Sequence, residues 1–183
     1  MSSQRHNLLD AALACVMDVG LRRTTLADVA RRAGVSRMTV YRAFPDLDTL
    51  VGALLTRELT QLLQEVEATL AEVPTARERL VRAAVETVTR MDDHPLYRRV
   101  LDLDPELLLP LVVDRFGSTQ VAAMALIAEQ VRAGHDDGSI RAVDPDRASV
   151  TVLLTAQSFV FSARLVDDSA RAELAYLLEA YLR

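Results

Sequence analysis

The chain has 183 residues, half of them hydrophobic, with one cysteine, no lysine and a formal net charge of −5 at pH 7. That length and composition allow one large or two small domains with a substantial core, and they argue against an internal disulfide or a membrane span, which needs about 20 apolar residues. The first ten residues are polar and lack the pattern of a secretory signal, so the sequence predicts a cytoplasmic protein.

The positive charge is concentrated near the beginning of the chain. Residues 1–44 hold seven Arg and three acidic residues, net +4, whereas residues 45–183 hold 14 Arg and 23 acidic residues, net −9. A basic end joined to an acidic remainder suits a protein that brings one end to a polyanion while the rest is repelled by it. Alone this is weak evidence, because a charge run is usually a solvated face.

Apolar residues recur at spacings of three and four along nearly the whole chain. This periodicity predicts an all-α protein of about nine or ten helices, with three short helices in the basic end. Breaks are expected at clusters of Gly, Pro and Asp, namely Gly20, Gly34, Pro45, Pro74, Pro95, Pro105, Gly117, residues 134–138, Pro145 and residues 167–169.

Two helices in the basic end have recognisable start signals. Thr25, with Asp28 three residues later, has the spacing of a capping box and predicts a helix that runs to residue 32 or 33. Ser36 is the expected cap of the next helix, which runs to about residue 43.

The stretch between these two helices has the spacing of a helix-turn-helix. Ala30 is small where two crossing helices would touch, and Gly34 can take the positive φ of a tight turn. Val29, Val35 and Val40 are placed to fill the core between the helices.

With Val40 facing inward, the rest of the second helix is free to point outward. A helix that presents its first turn to DNA can place Ser36 and Thr39 on phosphates, and Arg37 or Met38 on base edges in the major groove. From spacing alone, a packed corner with solvated arginines remains the alternative. The outward residues are Arg37, Met38, Thr39, Tyr41 and Arg42.

Residues 11–50, AALACVMDVGLRRTTLADVARRAGVSRMTVYRAFPDLDTL, closely resemble the N-terminal DNA-binding domain of TetR-family (tetracycline-repressor-like) transcriptional regulators. The resemblance implies a three-helix DNA-binding domain over residues 1–46, joined to a helical effector-binding and dimerisation domain over residues 47–183. The matching positions are Gly20, Thr24, Thr25, Val29, Ala30, residues 33–36, residues 39–41, Phe44 and Leu50.

The resemblance also implies roles for particular residues. Thr25, Thr39 and Tyr41 look like phosphate contacts, and the Tyr41 ring has packing as a competing role. Arg37 and Met38 occupy positions from which such proteins reach bases, and Met38 is suited to touch a thymine methyl group.

Two positions depart from the family pattern. The family commonly has His before the aromatic residue and Lys shortly after it, whereas this chain has Ala43 and Leu47 on either side of Phe44. Phe44 itself looks like the aromatic that wedges the recognition helix against the fourth helix, which Asp46 is expected to cap. Fewer phosphate contacts are expected there, or compensation by Arg5 in an N-terminal tail or by Arg22, Arg23 or Arg42.

The function that the resemblance implies is a ligand-responsive repressor, bound as a dimer to a palindromic operator in double-stranded DNA and released by a small molecule. Residues 119–133 and 146–165 are apolar on more than one side, so we expect them to form the dimer surface. Burial of both faces inside a monomer is the alternative.

The effector site is the least defined feature. Helices around residues 77–113 could line a largely aliphatic cavity, although such apolar stripes are more often plain core. Weak candidates for polar or soft contacts to a ligand are Met91, His94, Arg98 and Gln157.

Other classes of function have little support in the residues. Cys15 has core spacing, and no His, Cys or Asp cluster has the spacing of a metal site, so no metal or cofactor is expected. An enzyme is disfavoured because no nucleophile elbow, phosphate-binding glycine loop or paired-carboxylate constellation occurs. A helical adaptor that binds protein and no DNA is the main alternative.

Overall fold

In the computed structural model, residues 3–103, 116–162 and 169–183 are described, and these ranges contain helices and no strand. The predicted all-α fold is confirmed. Expectations that fall on residues 104–115 and 163–168 lie outside the described residues. The helices are α1 (Ser3–Val19), α2 (Leu26–Ala33), α3 (Arg37–Ala43), α4 (Leu47–Ala68), α5 (Ala76–Asp93), α6 (Pro95–Leu103), α7 (Ser118–Asp136), α8 (Pro145–Ser162) and α9 (Ser169–Leu182).

The chain divides into two compact units. One comprises residues 1–60 and 94–115, and the other comprises residues 61–93 and 116–183. The functional boundary between residues 46 and 47 stays a prediction. No helix of the described ranges is both long and apolar enough to cross a bilayer.

In the first unit, α1 packs against α2 and α6, and α2 packs against α3. The expectation of a short first helix was wrong: α1 has 17 residues and buries Leu8, Leu9 and Val16. Cys15 is buried on the same helix, as its spacing predicts. A long α1 is favoured because a helix gains most of its stability from packing one face over several turns.

The turn between α2 and α3 has the predicted geometry. Gly34 has φ +67°, and its N–H and that of Val35 donate to the carbonyls of Arg31 and Ala30 at 3.3 and 3.0 Å. This pair of bonds is the Schellman arrangement that ends helices at a left-handed residue. Val29, Ala30 and Val40 are buried as predicted, whereas Val35 is only half-buried.

In the second unit, α5 packs against α7, α8 and α9, and α7 packs against α8. The buried residues form one apolar cluster: Leu80, Val81, Val88, Val131, Ile140, Ala148, Val152, Leu174, Leu178 and Leu182. Gly134, expected at a helix break, lies inside α7. Glycine is required at this position because a Cβ would come within 2.4 Å of the Ile140 side chain. The expected turn follows at Gly138, which has φ +72°.

Candidate nucleic-acid interface

The N-terminus of α3 is capped by the residue that the sequence predicts. Ser36 Oγ accepts a hydrogen bond from the Thr39 amide at 3.1 Å and lies 2.8 Å from Thr39 Oγ1. At the other end, the Phe44 amide donates to the Val40 carbonyl at 2.8 Å. Both ends of this seven-residue helix are therefore fixed by identified hydrogen bonds.

One side of α3 is exposed. Arg37, Met38, Tyr41 and Arg42 are all exposed, Met38 to 72% and Tyr41 to 48%. Positions three and four apart are neighbours on a helix, so Tyr41 adjoins Arg37 and Met38, Arg42 adjoins Met38, and these four side chains share a face. Thr39 is half-buried at the edge of this stripe.

The opposite side of α3 is packed into the first unit. Val40 and Phe44 are both fully buried. Burial of Val40 and of Phe44, the residue that follows α3, contributes a few kcal/mol, on the order of 1.5–3 for each. The helix is thus held from one side and presents the other to its surroundings.

Thr25 is the cap of α2, as predicted, and its hydroxyl is already engaged. Its Oγ1 accepts from the Asp28 amide at 3.1 Å and donates to Asp28 Oδ2 at 2.6 Å. These hydrogen bonds, together with Arg31, hold the pKa of Asp28 below its ordinary value. A phosphate contact by Thr25 stays a prediction, and it requires this hydroxyl to turn away from an ionised carboxylate.

Five of the seven arginines in the basic end fall into two groups. Arg31 pairs with Asp28 at 2.8 Å, and Arg32 pairs with Asp18 of α1. By contrast, Arg23, Arg37 and Arg42 are exposed and form no ion pair with any residue in the described ranges. The charge available to a polyanion is therefore smaller than the composition indicates, and two of these three arginines lie on α3.

Arg5 was expected in an N-terminal tail, but this expectation was wrong. It belongs to α1, its Nη1 donates to the Ala43 carbonyl at 3.3 Å, and its guanidinium carbon lies 4.4 Å from the centre of the Phe44 ring. Nothing in the local pattern indicates these contacts, because they join residues at least 38 positions apart.

The start of α4 follows the prediction. Asp46 Oδ1 accepts from the Thr49 amide at 2.7 Å. Hydrogen bonds from Thr49 hold the pKa of Asp46 below its ordinary value, so a negative charge sits at this helix terminus. Leu47, the first residue of α4, is half-buried and supplies no charge.

The weak effector candidates fall in both compact units. Met91 and Gln157 belong to the second unit, where both are half-buried and Gln157 Oε1 accepts from Gln120 Nε2 at 2.9 Å. His94 and Arg98 belong to the first unit, where Arg98 is exposed. A role in ligand binding stays a prediction for all four.

His94 belongs to a buried polar cluster that sequence reasoning missed. Glu58, with a side chain 8% exposed, accepts from Nε and Nη2 of Arg57 at 2.8 and 2.7 Å and lies 3.6 Å from His94 Nε2. Arg57 Nη1 also pairs with Asp10 of α1 at 2.6 Å. An acidic residue in a helix is ordinarily exposed. The sequence therefore gives no sign that Glu58 is buried and paired with Arg57, and only the fold shows it.

The phenol of Tyr97 completes this cluster. Its hydroxyl donates to the Leu55 carbonyl at 3.1 Å, and its ring meets that of His94 edge to face at 5.1 Å. Burial, reinforced by the negative charge of Glu58, raises the pKa of Tyr97 above its ordinary value. The cluster thus ties α1, α4 and α6 together through side chains.

The chain is similar in sequence to bacterial transcriptional regulators. Residues 8–54 match the family model for bacterial regulatory proteins of the tetR family. An uncharacterised HTH-type transcriptional regulator of Mycobacterium tuberculosis H37Rv is 37% identical over 180 residues, which cover 96% of this chain and 92% of the relative.

Two solved structures share the fold over almost their whole length. AlkX, a TetR-family repressor from Dietzia, superposes with a TM-score of 0.73 at 20% identity, covering 97% of this chain and 94% of AlkX. The regulator FadR of Bacillus subtilis, in complex with stearoyl-CoA, gives a TM-score of 0.66 at 18% identity, covering 97% and 99%.

Proposed function

The chain belongs to the TetR family of transcriptional regulators, and from that premise we propose that it is a repressor released from a palindromic operator by a small molecule. Proteins of this family bind DNA and are not enzymes. We assign DNA binding to residues 1–46, and effector binding and dimerisation to residues 47–183. Its site of action is the cytoplasm, where bacterial DNA is.

The observation that carries the proposal is the one-sided exposure of α3. Its exposed stripe contains Met38 and two arginines that form no ion pair with a described residue, while Val40 and Phe44 on the opposite side are fully buried. We assign Arg37 and Met38 to base edges in the major groove, with Met38 suited to a thymine methyl group. Met38 is 72% exposed beside Arg37 on α3, and the groove would cover it in the proposed complex.

Phosphate contacts would hold α3 in register on the duplex without reading sequence. We assign them to the hydroxyls of Ser36, Thr39 and Tyr41 and to the guanidinium of Arg42, with Thr25 contributing from α2. The alternative, a protein-binding adaptor, predicts no tighter binding to one DNA sequence than to another.

We propose a homodimer because a two-fold symmetric DNA-binding protein reads two half-sites. The centres of these half-sites are separated by about 34 Å, one turn of the duplex, or by a multiple of that distance. In support, α7 and α8 bury one face and expose another: Ala128, Val131 and Val152 are buried, whereas Val121, Leu126 and Leu154 are exposed. We propose that the exposed faces of both helices meet their counterparts in a second copy of the chain.

Substitution of Leu126, which is 57% exposed, tests this interface. Leu126→Glu places a charge at the centre of the proposed contact and should yield monomers that lose operator binding, as measured by light scattering and DNA titration. Leu177→Glu on α9, at a residue 47% exposed, is the matched control and should stay dimeric. A dimer that survives Leu126→Glu but not Leu177→Glu would place the interface on α9 instead.

The effector is proposed to be largely apolar. FadR was crystallised with stearoyl-CoA, and AlkX is a repressor implicated in biodegradation of n-alkanes. The absence of Trp and the small number of Phe and Tyr residues also favour a mainly aliphatic cavity in this chain. Substitution by alanine tests the candidate ligand contacts, because loss of a true contact should weaken the release of DNA by a long-chain acyl compound. The candidates are Met91, His94, Arg98 and Gln157.

The deciding experiment is selection of bound fragments from the source genome, followed by titration of the selected duplex at increasing salt. A repressor of this kind should prefer its selected site to random duplex by at least about 10³-fold and lose affinity steeply with salt. Tyr41→Phe should weaken binding to all duplexes alike, and Tyr176→Phe, which alters an exposed tyrosine on α9, should change nothing. Equal, weak binding to every duplex would favour the adaptor.

A further inference from the structure

The first two turns of α1 hold the C-terminal ends of both helices of the helix-turn-helix. Arg5 Nη1 donates to the Ala43 carbonyl, the last residue of α3, at 3.3 Å. Asn7 Nδ2 donates to the Ala33 carbonyl, the last residue of α2, at 3.2 Å. Residues two apart on a helix point in different directions, which is why one short stretch reaches two helices.

The C-terminal carbonyls of a helix have no partner within the helix and carry the negative end of its dipole. A guanidinium is well suited to that position, since it is always charged and donates from a planar fork. Arg5 adds a second contact, because its guanidinium carbon lies 4.4 Å from the centre of the buried Phe44 ring. Arg5 thus meets both the last residue of α3 and the residue that follows it.

These contacts have consequences because α3 is only seven residues long. A helix of that length has no stability of its own, so its direction depends on the contacts at its ends and on its buried face. The turn at Gly34 and the Ser36 cap fix the first end, and Val40 fixes the buried face. At the second end, Arg5 contacts Ala43 and Phe44 from outside α3, and the Phe44 ring is itself buried.

We propose that Arg5 is a positioning residue that sets the direction of the recognition helix and thereby the base preference of the protein. It acts through Ala43 and Phe44 and does not itself touch DNA. This inference rests on the proposed function, since it requires α3 to read the duplex.

A positioning role and a phosphate contact make different predictions for Arg5→Ala. Loss of a phosphate contact lowers affinity for every duplex and reduces the slope of log affinity against log salt by about 0.9. Loss of positioning lowers affinity for the selected site by about tenfold, leaves random duplex within about twofold and leaves the slope unchanged.

Two further variants separate positioning from general loss of stability. Asp18→Ala breaks the Asp18–Arg32 ion pair between α1 and α2 without touching α3, so it should lower stability and leave the preference for the selected site intact. Arg5→Lys keeps the charge but lacks the planar fork, so it should recover only part of the preference, whereas a phosphate contact would be recovered in full.

The experiment combines titration of the selected and a random duplex, each of about 30 base pairs, with hydrogen exchange of the free protein. Arg5→Ala should speed exchange in the last turn of α3 and reduce the ratio of selected to random affinity, while Asp18→Ala should do neither. Unchanged preference in Arg5→Ala, or equal losses on both duplexes with a lower salt slope, would overturn the inference. If the native protein itself shows no preference, the proposed function fails, and hydrogen exchange still decides whether Arg5 holds α3.

Discussion

At three glycines, backbone φ should decide whether substitution by alanine raises or lowers the free energy of unfolding. Gly34 and Gly138 have φ of +67° and +72°, Gly52 lies within α4, and a Cβ added at any of the three meets no atom within 4 Å. Steric clash is therefore removed from the comparison. What remains is the cost of the left-handed conformation at two positions and its absence at the third.

The expected magnitudes follow from that difference. A left-handed alanine costs about 1–2 kcal/mol, and the smaller entropy of the unfolded alanine chain offsets about 0.4–1 kcal/mol of it. Gly34→Ala and Gly138→Ala should thus each lower the free energy of unfolding by about 1 kcal/mol. Gly52→Ala should raise it by about 0.5–1 kcal/mol, because alanine is the better residue inside a helix.

Urea unfolding of the full chain, followed by circular dichroism at 222 nm, measures these differences. DNA titration then separates the two destabilised variants, since only Gly34 lies in the turn before α3 and only Gly34→Ala should weaken operator binding. If Gly34→Ala and Gly52→Ala shift the unfolding midpoint in the same direction, φ does not control stability at these sites.

Three further predictions concern caps and buried charge. Ser36→Ala removes the acceptor at the start of α3 and should cost about 1 kcal/mol in urea unfolding, whereas Ser36→Asn should cost little, and equal costs would argue against capping. Glu58→Ala leaves Arg57, whose side chain is 9% exposed, with Asp10 as its remaining carboxylate partner among the described residues. It should cost about 3 kcal/mol by the same assay, more than Glu58→Gln, which keeps an acceptor oxygen. Hydrogen bonds from the Ala76 amide and Ser139 hold the pKa of Asp137 below its ordinary 3.8, so its stabilising contribution is present above pH 3.8 and is lost as the pH falls through the folded pKa. Asp137→Ala should therefore flatten the fall in thermal stability on acidification, and an unaltered acid profile would exclude this carboxylate as a cause.

Local features of the helix-turn-helix could be predicted because each depends on a few neighbouring residues. The caps at Thr25 and Ser36 and the left-handed Gly34 follow from side-chain chemistry and φ preferences within a span of four residues. The inward Val40 follows from helical periodicity. Such signals are present in the sequence whatever the rest of the chain does.

The remaining features depend on residues far apart in sequence. The Arg5–Ala43 contact spans 38 positions, and the Arg57–Asp10 pair spans 47. A charge count from the sequence treats Arg31 and Arg32 as unpaired, whereas in the fold they pair with Asp28 and Asp18. Gly134 was expected at a break because glycine usually ends helices, but here close packing of Ile140 requires it within one.

Selection from random duplexes, with the native protein and with Arg37→Ala in parallel, tests directly whether α3 reads DNA. If α3 reads DNA in a homodimer, the native protein should select one two-fold symmetric motif, and Arg37→Ala should select the same motif with preference lost at one or two base pairs of each half-site. An identical motif from both proteins, or none from the native protein, would contradict the assignment of α3 as the helix that reads DNA.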